Sequence, residues 1–105
     1  MQEKNIKIEF LDRNVQHSDY DWANIDVDGT RVGKARCLKK DDEFVIYSIN
    51  IFPEFEGNGY GKVFVKEAQK KFPRVIADRV RSTAIGFWEK LGFKDDHNGN
   101  FTYKK

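Results

Sequence analysis

At 105 residues the chain can enclose one small hydrophobic core and not two. Its 19 Lys and Arg against 17 Asp and Glu leave a formal net charge of +2, without the basic stripe of a dedicated nucleic-acid binder. No apolar run reaches membrane-spanning length, and two separated histidines with one cysteine offer no metal cluster.

The N-terminal Met1-Gln2-Glu3-Lys4 lacks the apolar core of a signal peptide. A single Cys37 has no intrachain disulfide partner, which fits a reducing cytoplasm. Ile6, Ile8 and Phe10 alternate with Lys7 and Glu9, the period of a half-buried strand. Residues 12–19 form a short polar connection. A second strand covers 20–28, with Ala23, Ile25 and Val27 on one face, and Asp28-Gly29 supplies a hairpin turn. A third strand returns over 31–38, and 39–42 turn again. Residues 44–52 form a longer, more apolar strand. The spacing by four of Tyr60, Phe64, Ala68 and Phe72 predicts a helix over 60–72, stopped by Pro73. A short strand follows at 75–78. Ala84, Phe87, Trp88 and Leu91 share one face of a helix over 84–91, with Ser82 or Thr83 as its cap and Gly92 as its left-handed end. Strands at 93–96 and 101–104 close the chain around Asn98-Gly99.

The first three strands are apolar on one face and largely polar on the other, where Lys7, Glu9, Asn24, Asp26, Lys34 and Arg36 fall. A sheet covered on both sides would read as continuous apolar runs. One face is therefore expected to be open. Tyr20 and Trp22 lie on that polar set, either as an apolar patch for a partner subunit or substrate, or as single aromatics over a wet sheet. The patch reading predicts a homodimer.

The most telling stretch is Ile51-Phe52-Pro53-Glu54-Phe55-Glu56-Gly57-Asn58-Gly59-Tyr60-Gly61-Lys62. Glycines let successive backbone N–H groups converge without interference from Cβ. The helix that follows adds its own unpaired N–H groups and the positive end of its dipole. Such a turn cradles a phosphate or pyrophosphate. It is not the nucleotide P-loop, because Val63 stands where a Ser or Thr hydroxyl must follow Gly-Lys. Nor is it the dinucleotide fingerprint, whose glycines are spaced G-x-G-x-x-G after a first strand.

The stretch resembles the pyrophosphate loop of the GNAT superfamily of N-acetyltransferases, Arg/Gln-x-x-Gly-x-Gly/Ala after Val-x-Pro. Gly59 and Gly61 match its glycines and Ile51-x-Pro53 its lead-in, while Glu56 replaces the usual Arg or Gln. Residues 84–93 resemble the family's late helix, Ala-x-x-Phe-Tyr-x-Lys-x-Gly-Phe. The resemblance implies one domain over residues 1–105. Its fold would be α+β, the acyl-CoA N-acyltransferase (GNAT-like) fold, with a mixed, mostly antiparallel sheet and two main helices. It departs from the family between the first two strands, where 12–19 is too short for the usual pair of helices.

The implied activity is transfer of an acetyl group from acetyl-CoA to a primary amine of a small molecule or protein, with no nucleic acid and no membrane involved. The pantetheine arm would lie along Ile49, Asn50 and Ile51, and the pyrophosphate on Gly57, Asn58, Gly59, Tyr60, Gly61 and Lys62. Trp88 stands where the family has a Tyr that protonates the leaving thiolate; an indole N–H donates a hydrogen bond but is no useful acid. Asp26 and Glu43 are the candidate proton acceptors for the amine. Ser48 and Asn50 could hold the acceptor or a water. Tyr47 and Tyr60 are possible acids. Cys37 reads as a small buried strand residue rather than a nucleophile. The alternative function is a CoA-binding or protein-interaction module that kept the fold and lost efficient catalysis.

Overall fold

A computed structural model of the chain describes residues 5–105. Met1-Gln2-Glu3-Lys4, and the expectation drawn from them, lie outside the described residues. Seven strands form one sheet in the order β1-β2-β3-β4-β5-β7-β6. They are β1 (Ile6–Leu11), β2 (Asp21–Val27), β3 (Thr30–Lys39), β4 (Glu43–Ile51), β5 (Arg74–Ala77), β6 (Lys94–Asp95) and β7 (Phe101–Lys104). All neighbours are antiparallel except β4 and β5, which run parallel. The helices are α1 (Arg13–Gln16), α2 (Tyr60–Lys71) and α3 (Ile85–Lys90).

The core lies between one sheet face and α2. Phe64, Val65 and Ala68 of α2 are fully buried, as are Ala23, Ile25, Phe44 and Val75 of the sheet. Phe44 stacks on Phe72 at 4.7 Å and takes the edge of Phe10 at 5.6 Å. Phe72 itself is extended rather than helical, because a residue preceding proline is pushed out of the helical region. The other sheet face carries Lys7, Glu9, Lys34, Ser48 and Asn50 in solvent. Only the single turn of α1 stands between β1 and β2, as the short connection requires.

Asp21 anchors that connection. Its carboxylate is fully buried and accepts three hydrogen bonds: from the Arg13 N–H at 2.6 Å, the Lys39 N–H at 2.6 Å and the Arg13 guanidinium at 3.1 Å. The alternation of the strand places Asp21 in line with Ala23 and Ile25, where an apolar residue is expected. It is tolerated because these donors satisfy the charge.

Two expectations for the late helix are corrected. Neither Ser82 nor Thr83 caps it: Ser82–Ala84 form a 3-10 turn in which the Ala84 N–H bonds to the Arg81 carbonyl, and α3 begins one residue later. The helix also does not bury all four of its apolar residues. Trp88 is 8% exposed, but Phe87 is 38% exposed because it faces the groove beside Gly61 instead of the core. The end of the helix follows expectation. Gly92 has φ +90, with the Phe93 N–H on the Trp88 carbonyl and the Gly92 N–H on that of Glu89.

Candidate functional site

The site is made by a strand that loses its neighbour. β4 and β5 pair from Glu43↔Arg74 to Ile46↔Ala77, and the Asp78 N–H still reaches the Ile46 carbonyl at 2.9 Å. Beyond that point β5 has ended, while β4 runs on to Ile51. A bulge on the other side marks the place: Arg36 pairs with Ser48 and Cys37 with Ile46, so Tyr47 is the extra residue. The Phe52 N–H bonds to the Val32 carbonyl, and the Asn50 carbonyl lies against Gly33. Backbone alternation then turns the N–H and C=O groups of Ile49 and Ile51 to the opposite, uncovered edge.

That edge borders a cleft of about 500 Å³. Its walls are Tyr47, Ser48 and Ile49 on one side and residues 78–81 on the other, with Trp88 and Phe87 at the α3 side. The second wall is braced from the closing hairpin. The Arg79 N–H bonds to the Asn100 side-chain oxygen at 2.9 Å and the Val80 N–H to the Gly99 carbonyl at 3.0 Å. Trp88 is held by edge contacts with Phe87 at 5.0 Å and Phe93 at 4.9 Å.

The cleft continues past Gly61 into a groove lined by Ile51, Phe55, Gly57, Gly59 and Phe87. Gly57 and Gly59 have φ +83 and +78, where other residues are strained, and nothing lies within 4 Å of a Cβ built on either. Gly59 opens α2 with no side-chain cap, so the amides of Gly61 and Lys62 in the first turn have no intrahelical acceptor. The Asn58 amide pins the loop by donating to the Phe55 carbonyl at 3.0 Å. Lys62 and Glu56 are exposed on the groove's rim. Open backbone at a 12-residue helix start suits a pyrophosphate, and the uncovered β4 edge suits an amide-bearing arm.

The expected cofactor residues Ile49, Ile51, Gly57, Gly59, Tyr60, Gly61, Lys62 and Trp88 thus border two adjoining hollows that share Ile51, Gly61 and Phe87. Asn50 is turned to the exposed face. The structure does not bring Asp26 or Glu43 to the cleft. Asp26 is bonded to Arg31 at the β2–β3 hairpin. Glu43 stands at the far end of β4 between Lys40 and Arg74, each at 3.5 Å, beside a separate charged hollow. Asp78, which sequence reasoning missed as a site residue, is the carboxylate lining the cleft among the described residues. Its signal would have been its place just past the end of the strand parallel to β4. Cys37 is fully buried, and burial pushes its thiol up to about 12, which removes it as a nucleophile at neutral pH. No helix among the described residues is long and apolar enough to cross a membrane.

Known proteins resemble this chain in sequence and in fold. An uncharacterized N-acetyltransferase of Oceanobacillus iheyensis is 36% identical over 56 residues, which is 53% of this chain and 34% of that protein's length. The chain therefore matches about a third of the length of this curated relative. The N-acetyltransferase YlbP of Bacillus subtilis, solved with coenzyme A, has a TM-score of 0.68 at 14% identity, covering 96% of this chain and 97% of its own. The PaiA N-acetyltransferase of Thermoplasma acidophilum, also solved with coenzyme A, gives a TM-score of 0.62 at 21% identity over 89% of this chain and 65% of its own. These likenesses establish the expected α+β, GNAT-like fold. The model of the acetyltransferase (GNAT) family matches residues 2–93, nearly everything from β1 to the end of α3, and the chain belongs to that family.

Proposed function

We propose that the chain, acting as one domain over residues 1–105, transfers an acetyl group from acetyl-CoA to a primary amine. The observation that carries this reading is the pair of adjoining hollows, sharing Gly61, that lie at the parted β4–β5 edge and at the start of α2. The coenzyme A bound in the two neighbours above supports it.

Acetyl-CoA supplies the activated acyl group as a thioester. The Ile49 and Ile51 backbone groups extend the sheet to the pantetheine arm and fix the depth of the thioester. The Gly61 and Lys62 amides hold the pyrophosphate, and the Lys62 ammonium adds charge to it. Phe87 and Trp88 exclude water from the α3 side. The amine nitrogen attacks the carbonyl carbon; a C–N bond forms, and the C–S bond breaks with its electron pair on sulfur. One amine proton passes to Asp78, directly or through water, replacing the roles expected of Asp26 and Glu43. Solvent returns a proton to the thiolate, which needs little help.

The test is thiol release from acetyl-CoA with an amine panel. Amine-dependent release is expected, and Asp78→Asn should lower kcat by about 100-fold, the low end of general-base effects. Acetyl-CoA binding without amine-dependent release would favour a CoA-binding module instead. Trp88→Tyr is expected not to lower turnover by an order of magnitude, at saturating acetyl-CoA and with folding checked. A well-folded variant that loses turnover a hundredfold would give the indole a direct role. We further propose a homodimer through the open sheet face, read by light scattering, where a monomer at high concentration rejects it. The buried Cys37 thiol fits action in the cytoplasm.

A further inference from the structure

Arg36 sits in the middle of β3, directly between Trp22 on β2 and Ser48 on β4. Its chain neighbours Ala35 and Cys37 point into the core, so its own side chain rises on the uncovered face. There the guanidinium lies over the Tyr20 ring, 4.8 Å from its centroid. Tyr20 in turn meets Tyr47 edge-on at 5.1 Å, and Tyr47 and Ser48 line the cleft. The arginine is thus linked through Tyr20 to Tyr47, a residue of the cleft wall.

Among the described residues its charge meets only the face of the Tyr20 ring. Arg36 Nε is buried with no hydrogen-bond partner, and no ion pair reaches the guanidinium among the described residues. The nearby polar groups of this face are engaged elsewhere. Arg31 holds Asp26, the Asn24 amide donates to Glu9, and the Trp22 indole N–H donates to the Ser18 hydroxyl. A buried donor without an acceptor destabilises the fold unless something completes it. The planar fork of a guanidinium matches the two oxygens of a carboxylate.

Residues directly opposite on paired strands have Cα atoms about 4.5–5.5 Å apart. Arg36 therefore stands one strand away from Ser48, which lines the cleft beside Ile49. We infer that the acceptor is a free amino carboxylate, whose carboxylate pairs with Arg36 while its amine, a few bonds away, faces the thioester. This rests on the acetyl-transfer reading and names its substrate class. A peptide or protein amine carries an amide at that place and leaves Arg36 unpaired.

The experiment compares kcat/KM for L-α-amino acids, β-alanine and 4-aminobutyrate, each beside its own carboxamide. At least one acid should be preferred over its amide by tenfold or more, a ratio read on the wild-type protein and independent of any variant. Arg36→Gln should bring that ratio close to one, chiefly through KM for the acid. Arg36→Lys, which keeps the charge and loses the fork, should fall between. Thermal unfolding checks that both variants fold. Amides used as well as acids by the wild type, or an acid preference that survives Arg36→Gln, overturns the inference. Transfer to none of the panel while acetyl-CoA binds also overturns it and leaves the cofactor channel standing. Failure to bind acetyl-CoA would bring down the preceding reading as well.

Discussion

Gly61→Leu is expected to weaken acetyl-CoA binding by about 100-fold, equivalent to about 2.7 kcal/mol, without unfolding the protein. Gly61 has ordinary helical backbone angles, so nothing in its conformation demands glycine. A Cβ there would meet Ile49 Cγ2 at 3.8 Å, and Ile51 Cγ1 and Phe87 Cζ at 4.0 Å, all ordinary contact distances. The protein itself has room for the atom. What the atom would narrow is the junction between the thioester cleft and the glycine groove, since Gly61 lines both. Replacing a helical glycine by alanine favours the helix by up to about 1 kcal/mol. Gly61→Ala should therefore melt no lower than the wild type and bind about tenfold more weakly, a difference of about 1.4 kcal/mol. Calorimetric titration beside thermal unfolding reads both quantities. Unchanged affinity in Gly61→Leu would show that the cofactor takes another path. Gly59→Val is less informative: at φ +78 it forces a left-handed conformation costing about 1–2 kcal/mol, so affinity and stability fall together.

Asp21→Ala is expected to destabilise the protein by about 2–6 kcal/mol, because two backbone N–H groups are left without an acceptor at about 1–3 kcal/mol each. Three donors lose their acceptor: the Arg13 and Lys39 backbone N–H groups and the Arg13 guanidinium. For a domain of this size each kcal/mol moves the melting temperature by about 4–8 °C, so a fall of more than about 10 °C is the result to look for. Asp21→Asn should fall less, because one amide oxygen still accepts. The substitution also frees the connection leading to Tyr20, whose ring lies under the Arg36 guanidinium and meets Tyr47 edge-on. Acceptor KM should therefore rise before cofactor affinity changes. A melting temperature within 2 °C of wild type would show that the carboxylate is not the anchor.

The sequence by itself determined whatever depends on short-range spacing. Alternation in β1 to β3, the spacing by four in α2, Pro73 after Phe72, and the left-handed Gly92 each act within a few residues. Their physics is local: backbone dihedral preference and the period at which side chains reach one face. The glycine groove was legible for the same reason, because its amides and its helix start are contiguous in the chain. The open sheet face followed from composition along the strands. Tertiary structure alone decided the rest. The cleft's second wall at 78–81 exists because β5 stops at Ala77 while β4 continues, and because a hairpin some twenty residues later holds Arg79 and Val80. Glu43, at the far end of β4 from the cleft, is held there between Lys40 and Arg74, the latter 31 positions on. Asp21 falls on the inward set of its strand with nothing nearby in sequence to satisfy it, until Arg13 and Lys39 are brought to it. Arg36 reads as solvated until the Tyr20 ring, itself backed by Tyr47, lies against it. In each case the deciding partner lies on another element. A side chain's period along its own strand says which face it takes, but only the packed neighbours decide whether its charge is satisfied, buried or left for a ligand.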